Sequence, residues 1–146
     1  MTISPAAMAL LEEHLEAPMS RLLGLRLIAV AAGEITLQAD PQAMFRNRLG
    51  VMHGGYIAAL LDCACGLAGG TLMPEATFSL TAELKTSYLR KIEITSGPLT
   101  LVGRVQKAGR QLLFTEGVIR DRAGRDLATA TSTLIVQSTA GRSQGQ

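Results

Sequence analysis

Tryptophan is absent from this 146-residue chain, and aromatic residues make up only 3% of it. Platforms on which nucleic-acid bases stack are therefore not expected. Charge is sparse as well: 14 Lys and Arg against 12 Asp and Glu leave a net +2, with 18% of residues charged. A nucleic-acid binder held by phosphate contacts needs a clustered basic surface, which this balance does not supply. Only two cysteines and two histidines occur. Cys63 and Cys65 would lie about 200° apart around a helix, and His14 is far from His53 in sequence. No metal site is expected from such a set. Small buried thiols in a reducing cytoplasm are the expectation instead. The first residues, Met1-Thr2-Ile3-Ser4-Pro5, are followed by Glu12 and Glu13. No basic segment leads into an apolar one there, so no signal peptide is expected and a cytoplasmic location is.

What is present is core-forming material. Hydrophobic residues amount to 47%, which excludes disorder, and the length suits one domain that needs no staple. That domain is expected over residues 1–137, with a polar tail over 138–146. Ser4 and Pro5 read as the cap and first position of an N-terminal helix within residues 1–18, ended by Pro18. Strands are expected over 25–30 and 34–40 around a Gly33 turn, followed by a loop to Gly50. A small-residue helix is predicted over 53–73, stopped by Pro74. From Thr77 to Arg90 the residues alternate. Phe78, Leu80, Ala82, Leu84 and Tyr88 fall on one side, which predicts a long strand with one buried face. Three further strands are expected over 98–107, 111–120 and 126–137, with turns at 108–110 and 121–124. One apolar helix beside a mostly antiparallel sheet is an α+β arrangement.

Between Arg48 and Glu75 the only formally charged residue is Asp62. A carboxylate buried without a cation is costly, and a buried acid is what a general base or nucleophile requires. The plainer alternative is an aspartate bonded to backbone or Ser/Thr groups, or one that reaches solvent. A membrane-spanning reading of residues 54–73 fails on Asp62 near its middle and on the lack of basic flanks. His53-Gly54-Gly55 opens the same helix. Paired glycines let a ligand approach the free N–H donors and the positive helix end, a setting that suits a polarised carbonyl or oxyanion. His53 and Asp62 are nine residues apart, about 13.5 Å along the axis and on opposite sides. A shared site would therefore need a second subunit, which a two-fold dimer supplies twice.

The stretch Asn47-Arg48-Leu49-Gly50-Val51-Met52-His53-Gly54-Gly55, with Ala58-Ala59-Leu60-Leu61-Asp62 after it, resembles the hotdog-fold acyl-CoA thioesterases. The phenylacetate-degradation-type branch is the closer match. Thr81 to Arg90, Gly103-Arg104 and Gly124 to Ala128 are similar to later elements of that branch. The resemblance implies a sheet wrapped around the long helix, and dimers or tetramers. It implies Asp62 as base on water or as nucleophile at the thioester carbon, and a Gly54 N–H polarising the carbonyl. Asn47 and His53 would help set that end of the site, with Thr81 positioning the water or carboxylate. Such hydrolysis needs no cofactor. Gly55, Tyr56 and Ala59 are candidates to contact the substrate, and Met44, Phe45 and Met73 to line an apolar pocket. Arg90, Lys91 and Arg110, with Arg104 and Lys107, are candidates to border the coenzyme A phosphates, although charges at strand ends are commonly only solvated. Two other functions fit the same residues. One is a non-catalytic acyl-CoA sensor or carrier. The other is an acyl-thioester dehydratase or hydratase using His53 with Asp62.

Overall fold

A computed structural model describes residues 2–140. Helix α1, Pro5–Glu16, starts where Ser4 Oγ accepts the Ala7 N–H at 3.1 Å. Pro18 ends that helix but also begins a second, α2 (Pro18–Leu23), which the sequence reading missed. Proline is well suited to the first helical position, and Gly24 closes α2 in the left-handed region at φ 66°. Strands β1 (Arg26–Ala31) and β2 (Glu34–Ala39) follow as a hairpin around Gly33, φ 80°. Next comes the long helix α3 (Gly54–Gly70), shorter at both ends than its predicted span. Thr71 caps its C-terminus, and the Thr71 Oγ1 also accepts the Gly33 N–H at 2.7 Å, tying the hairpin to the helix end.

Strands β3 (Thr77–Tyr88), β4 (Leu99–Ala108), β5 (Leu112–Arg120) and β6 (Asp126–Ser138) complete a six-stranded antiparallel sheet in the order β1-β2-β4-β5-β6-β3. This is the α+β hotdog arrangement that the resemblance implied. The tail expected over 138–146 is only partly covered, because residues 141–146 lie outside the described residues.

One cross-strand row explains how closely the helix approaches the sheet. Ile35, Gly103, Gly117 and Ala130 are mutual register partners across β2, β4, β5 and β6. A methyl group on Gly103 would collide with the Ala64 carbonyl of α3, and one on Gly117 would meet Cys65 Sγ at 3.1 Å. The two glycines thus form a trough in which the helix backbone lies. Leu60, Leu61, Ala64, Cys65 and Ala68 of α3 are fully buried in it, against Leu37, Leu101 and Ile119 of the sheet.

The edge strand β3 departs from expectation. Its register with β6 pairs Thr81 with Leu134 and Glu83 with Thr133, leaving Ala82 as the extra residue of a β-bulge. A bulge shifts the side-chain alternation by one. The predicted single apolar face is therefore broken. Leu80, paired with Ile135, is exposed on the outer face, whereas Leu84 beyond the bulge packs on the core.

Candidate active site

Asp62 lies in the middle of α3 and is half-buried, bonded to a Thr side chain and within reach of solvent as the plainer of the two expectations has it. Its Oδ1 accepts a hydrogen bond from Thr81 Oγ1 at 2.8 Å. The bulge makes this bond possible. Thr81 shares a register row with the buried Leu134 and so faces the helix, while Ala82 absorbs the extra residue. A neutral hydroxyl thus fixes the carboxylate rotamer, and among the described residues no cation forms an ion pair with it. A carboxylate with one oxygen held by a donor and the other open can accept a proton from water or attack an acyl carbon.

Asp62 and Thr81 line a cavity of about 240 Å³, bounded by α3, the first half of β3 and the N-terminal helices. Its other walls are largely apolar and include Leu10, Leu11, Leu67 and Met73. His14 also lines it, with Nδ1 2.8 Å from the Leu10 carbonyl. Cys63 borders the same space. Burial, and then the Asp62 carboxylate, pushes its thiol up to about 11, so it stays protonated near neutral pH. Cys65 is pushed to about 11 mainly by burial. Neither cysteine has the low pKa of a nucleophilic thiol. Among the described residues, no cluster of three or more His, Cys, Asp and Glu could hold a metal ion.

The start of α3 is built differently. His53 is the N-cap, and its Nδ1 accepts the Gly55 N–H at 2.8 Å, which leaves the ring proton on Nε2. A Cβ on Gly55 would sit 3.0 Å from that same Nδ1, so glycine keeps the cap geometry open. On the other flank, Tyr88 Oη donates to the Gly54 carbonyl at 2.9 Å and its ring covers Gly54. Asn47 serves the preceding loop, its Oδ1 accepting the Leu49 N–H at 2.9 Å.

Within one chain the candidates other than Asn47 and Arg110 fall into three places. Asp62 and Thr81 share the cavity beside β3. His53, Gly55, Tyr56 and Ala59 line a shallow depression with Phe45 and Met44. Gly54, Arg90 and Lys91 line a third, with Tyr88 and Ile92. His53 and Asp62 thus open into different depressions of one chain. Of the pocket candidates, Met73 lies by Asp62, whereas Met44 and Phe45 lie by His53.

Tyr56 is 95% removed from solvent, stacks on Phe45 with ring centroids 4.5 Å apart, and its hydroxyl has no partner among the described residues. Arg110 stands exposed in the β4–β5 turn and borders none of these three depressions. Arg104 is engaged with Glu34 at 2.9 Å. The sequence reading did not select Tyr88, Leu10 or His14 as site residues. Tyr88 carried a signal, an aromatic two positions before the Arg90-Lys91 pair. Leu10 and His14 carried none, because nothing local reveals that α1 packs beside Asp62.

Residues 49–128 match the model of the Thioesterase superfamily. The chain belongs to that family. An esterase-named protein of Saccharolobus solfataricus is 30% identical over 105 residues, covering 72% of this chain and 73% of that one. A thioesterase family protein from Silicibacter pomeroyi superposes with TM-score 0.82 at 28% identity, over 90% of this chain and 98% of that one. A thioesterase-named, phenylacetic acid degradation-related protein from Ralstonia eutropha gives TM-score 0.79 at 25% identity, over 88% and 98%. The hotdog thioesterase family and the likeness to its phenylacetate-degradation-type branch are therefore shown. Cleavage of thioesters or esters is the general chemistry these likenesses support. No helix among the described residues is long and apolar enough to cross a membrane.

Proposed function

We propose that this chain hydrolyses an acyl-CoA thioester to the free acid and coenzyme A, with Asp62 as the reacting carboxylate. The observation that carries this reading is the Thr81–Asp62 hydrogen bond at the edge of an apolar cavity. Acting as base, the open Asp62 oxygen takes a proton from water as the water oxygen bonds to the thioester carbon. The carbon–sulfur bond then breaks, and the thiolate leaves as coenzyme A. Acting as nucleophile, Asp62 displaces the same thiolate to form an anhydride that water opens.

The developing oxyanion needs donors, and the Gly54 N–H at the positive end of α3 is suited to supply one. Gly54 precedes Asp62 by eight residues, about 12 Å along the helix. One chain cannot place both at one carbonyl, so the site is proposed to form between two chains, the helix start of one meeting Asp62 of the other. A two-fold dimer gives two such sites. Arg90 and Lys91, beside Gly54, are placed to meet coenzyme A phosphates at that end. Arg110 stands outside that depression.

Dehydratase chemistry fits less well. The lone-pair nitrogen of His53 is occupied by the Gly55 N–H, so the ring presents a donor rather than a base. The test is thiol release from a panel of acyl-CoA thioesters, with wild type beside Asp62→Asn and light scattering on both. Turnover falling by about 10²–10⁴-fold in a folded, equally oligomeric variant is expected. Binding without turnover in wild type would make the protein an acyl-CoA sensor or carrier.

A further inference from the structure

We infer that the cavity beside Asp62 is the seat of an apolar acyl tail of about six to eight carbons, and that Gly66 keeps its entry open to such a tail. This rests on the proposed hydrolysis only in taking Asp62 as the reacting end. The cavity holds about 240 Å³. An apolar cavity of about 150 Å³ already takes a benzene molecule, so six carbons fit with room for a short extension. Leucines and Met73 dominate its walls away from Asp62 and Thr81, with His14, Ser20, Thr77 and Ser79 as the polar members, and among the described residues no Lys or Arg lines it to pair with a charged tail.

Gly66 stands one helical turn beyond Asp62 on the same side of α3 and lines this space. A Cβ added there would meet nothing within 4 Å. The contrast with Gly69 is direct, since a Cβ at that position would collide with Leu134. Helix–sheet packing therefore accounts for Gly69 but not for Gly66. Glycine inside a helix is also less stable than alanine or leucine. What Gly66 supplies is empty volume next to the carboxylate, where the first carbons of a tail would pass.

The experiment measures kcat/KM for acetyl-, butyryl-, hexanoyl- and octanoyl-CoA with wild type, Gly66→Ala and Gly66→Leu. Both substitutions introduce better helix formers, so Tm should hold or rise. In wild type the specificity constant should climb by roughly fourfold per buried methylene until the cavity is full. Gly66→Leu should lower the octanoyl-to-acetyl ratio tenfold or more, with Gly66→Ala between the two. A flat chain-length profile in wild type would overturn the inference, as would an equal loss on every tail. So would an altered oligomeric state with the ratio unchanged, which would make Gly66 an interface residue. If wild type cleaves none of these thioesters, hydrolysis of straight-chain acyl groups is excluded without deciding the tail pocket. The tail pocket is then judged by calorimetry of the same esters with Asp62→Asn, with and without Gly66→Leu. Affinity that grows with tail length and is lost in the double variant supports it. Affinity independent of the tail, or absent, refutes it.

Discussion

Thr81→Val removes one hydroxyl while keeping the β-branched shape that suits an edge strand. The lost contact is the 2.8 Å hydrogen bond to Asp62 Oδ1. Bonds to a charged acceptor are worth about 1.5–3 kcal/mol when sheltered. This pair is partly open to water, which can replace the donor, so a value around or below the bottom of that range applies: about 1–2 kcal/mol. If the bond acts by holding the carboxylate in its reactive rotamer, that energy appears in kcat as a loss of roughly 5–30-fold. KM should move little, because the hydroxyl is assigned to the carboxylate rather than to the substrate. Thr81→Ser, which retains the donor, should recover most of the rate. The assay is thiol release under saturating and limiting acyl-CoA, with thermal unfolding followed by circular dichroism on each variant. The positioning role is refuted if Thr81→Val matches wild type in kcat, or if Thr81→Ser is as slow as Thr81→Val.

Three other outcomes are expected. Gly103→Ala sets a methyl group against the Ala64 carbonyl, and backbone cannot rotate away. A loss of at least about 3 kcal/mol, roughly 6–12 °C or more in Tm, should appear in a melting curve, and a shift under 2 °C would contradict the close helix–sheet contact. Tyr56→Phe deletes a buried hydroxyl that lacks a partner. Stability should stay level or rise by up to about 1 kcal/mol in urea unfolding, whereas a clear fall would show that the hydroxyl is paired. Asp121, fully engaged in the β5–β6 turn, has its carboxyl held below the usual range, first by the Arg125 backbone N–H and further by the Arg125 side chain and the Ala123 N–H. A depressed folded pKa contributes stability above the unfolded value near 3.8 that is lost as pH falls through the folded one. The Tm gap between wild type and Asp121→Asn should therefore be full at pH 6 and shrink below about pH 4; a gap constant down to pH 2 would count against it.

Much of the candidate site could be read from local chemistry. A lone Asp inside an uncharged helix, and paired glycines at that helix's start, are signals confined to one turn or two. The structure does hold the carboxylate with a Thr81 hydroxyl and does cap α3 with His53. Residue pattern and turn signals also located every strand to within a few residues. What local pattern missed has a common cause. Pro18 reads locally as a stop, although the same fixed φ that ends one helix can start the next. The bulge at Ala82 was invisible because alternation assumes one residue per pleat, whereas the partner strand β6 decides where a residue is skipped.

By itself, the sequence determined the element types, the caps and turns, and which carboxylate stands alone in a long uncharged run. Each depends on contacts between residues a few positions apart. Only the tertiary structure decided that Thr81 reaches Asp62 across 19 positions, and that Tyr88 covers Gly54 across 34. It likewise decided that α1 closes a cavity beside the carboxylate, and that Arg110 lies apart from Arg90 and Lys91. These arrangements follow from strand order and from the depth at which α3 sinks onto Gly103 and Gly117. Both are set by packing between segments distant in the chain, which periodicity along a single segment does not encode.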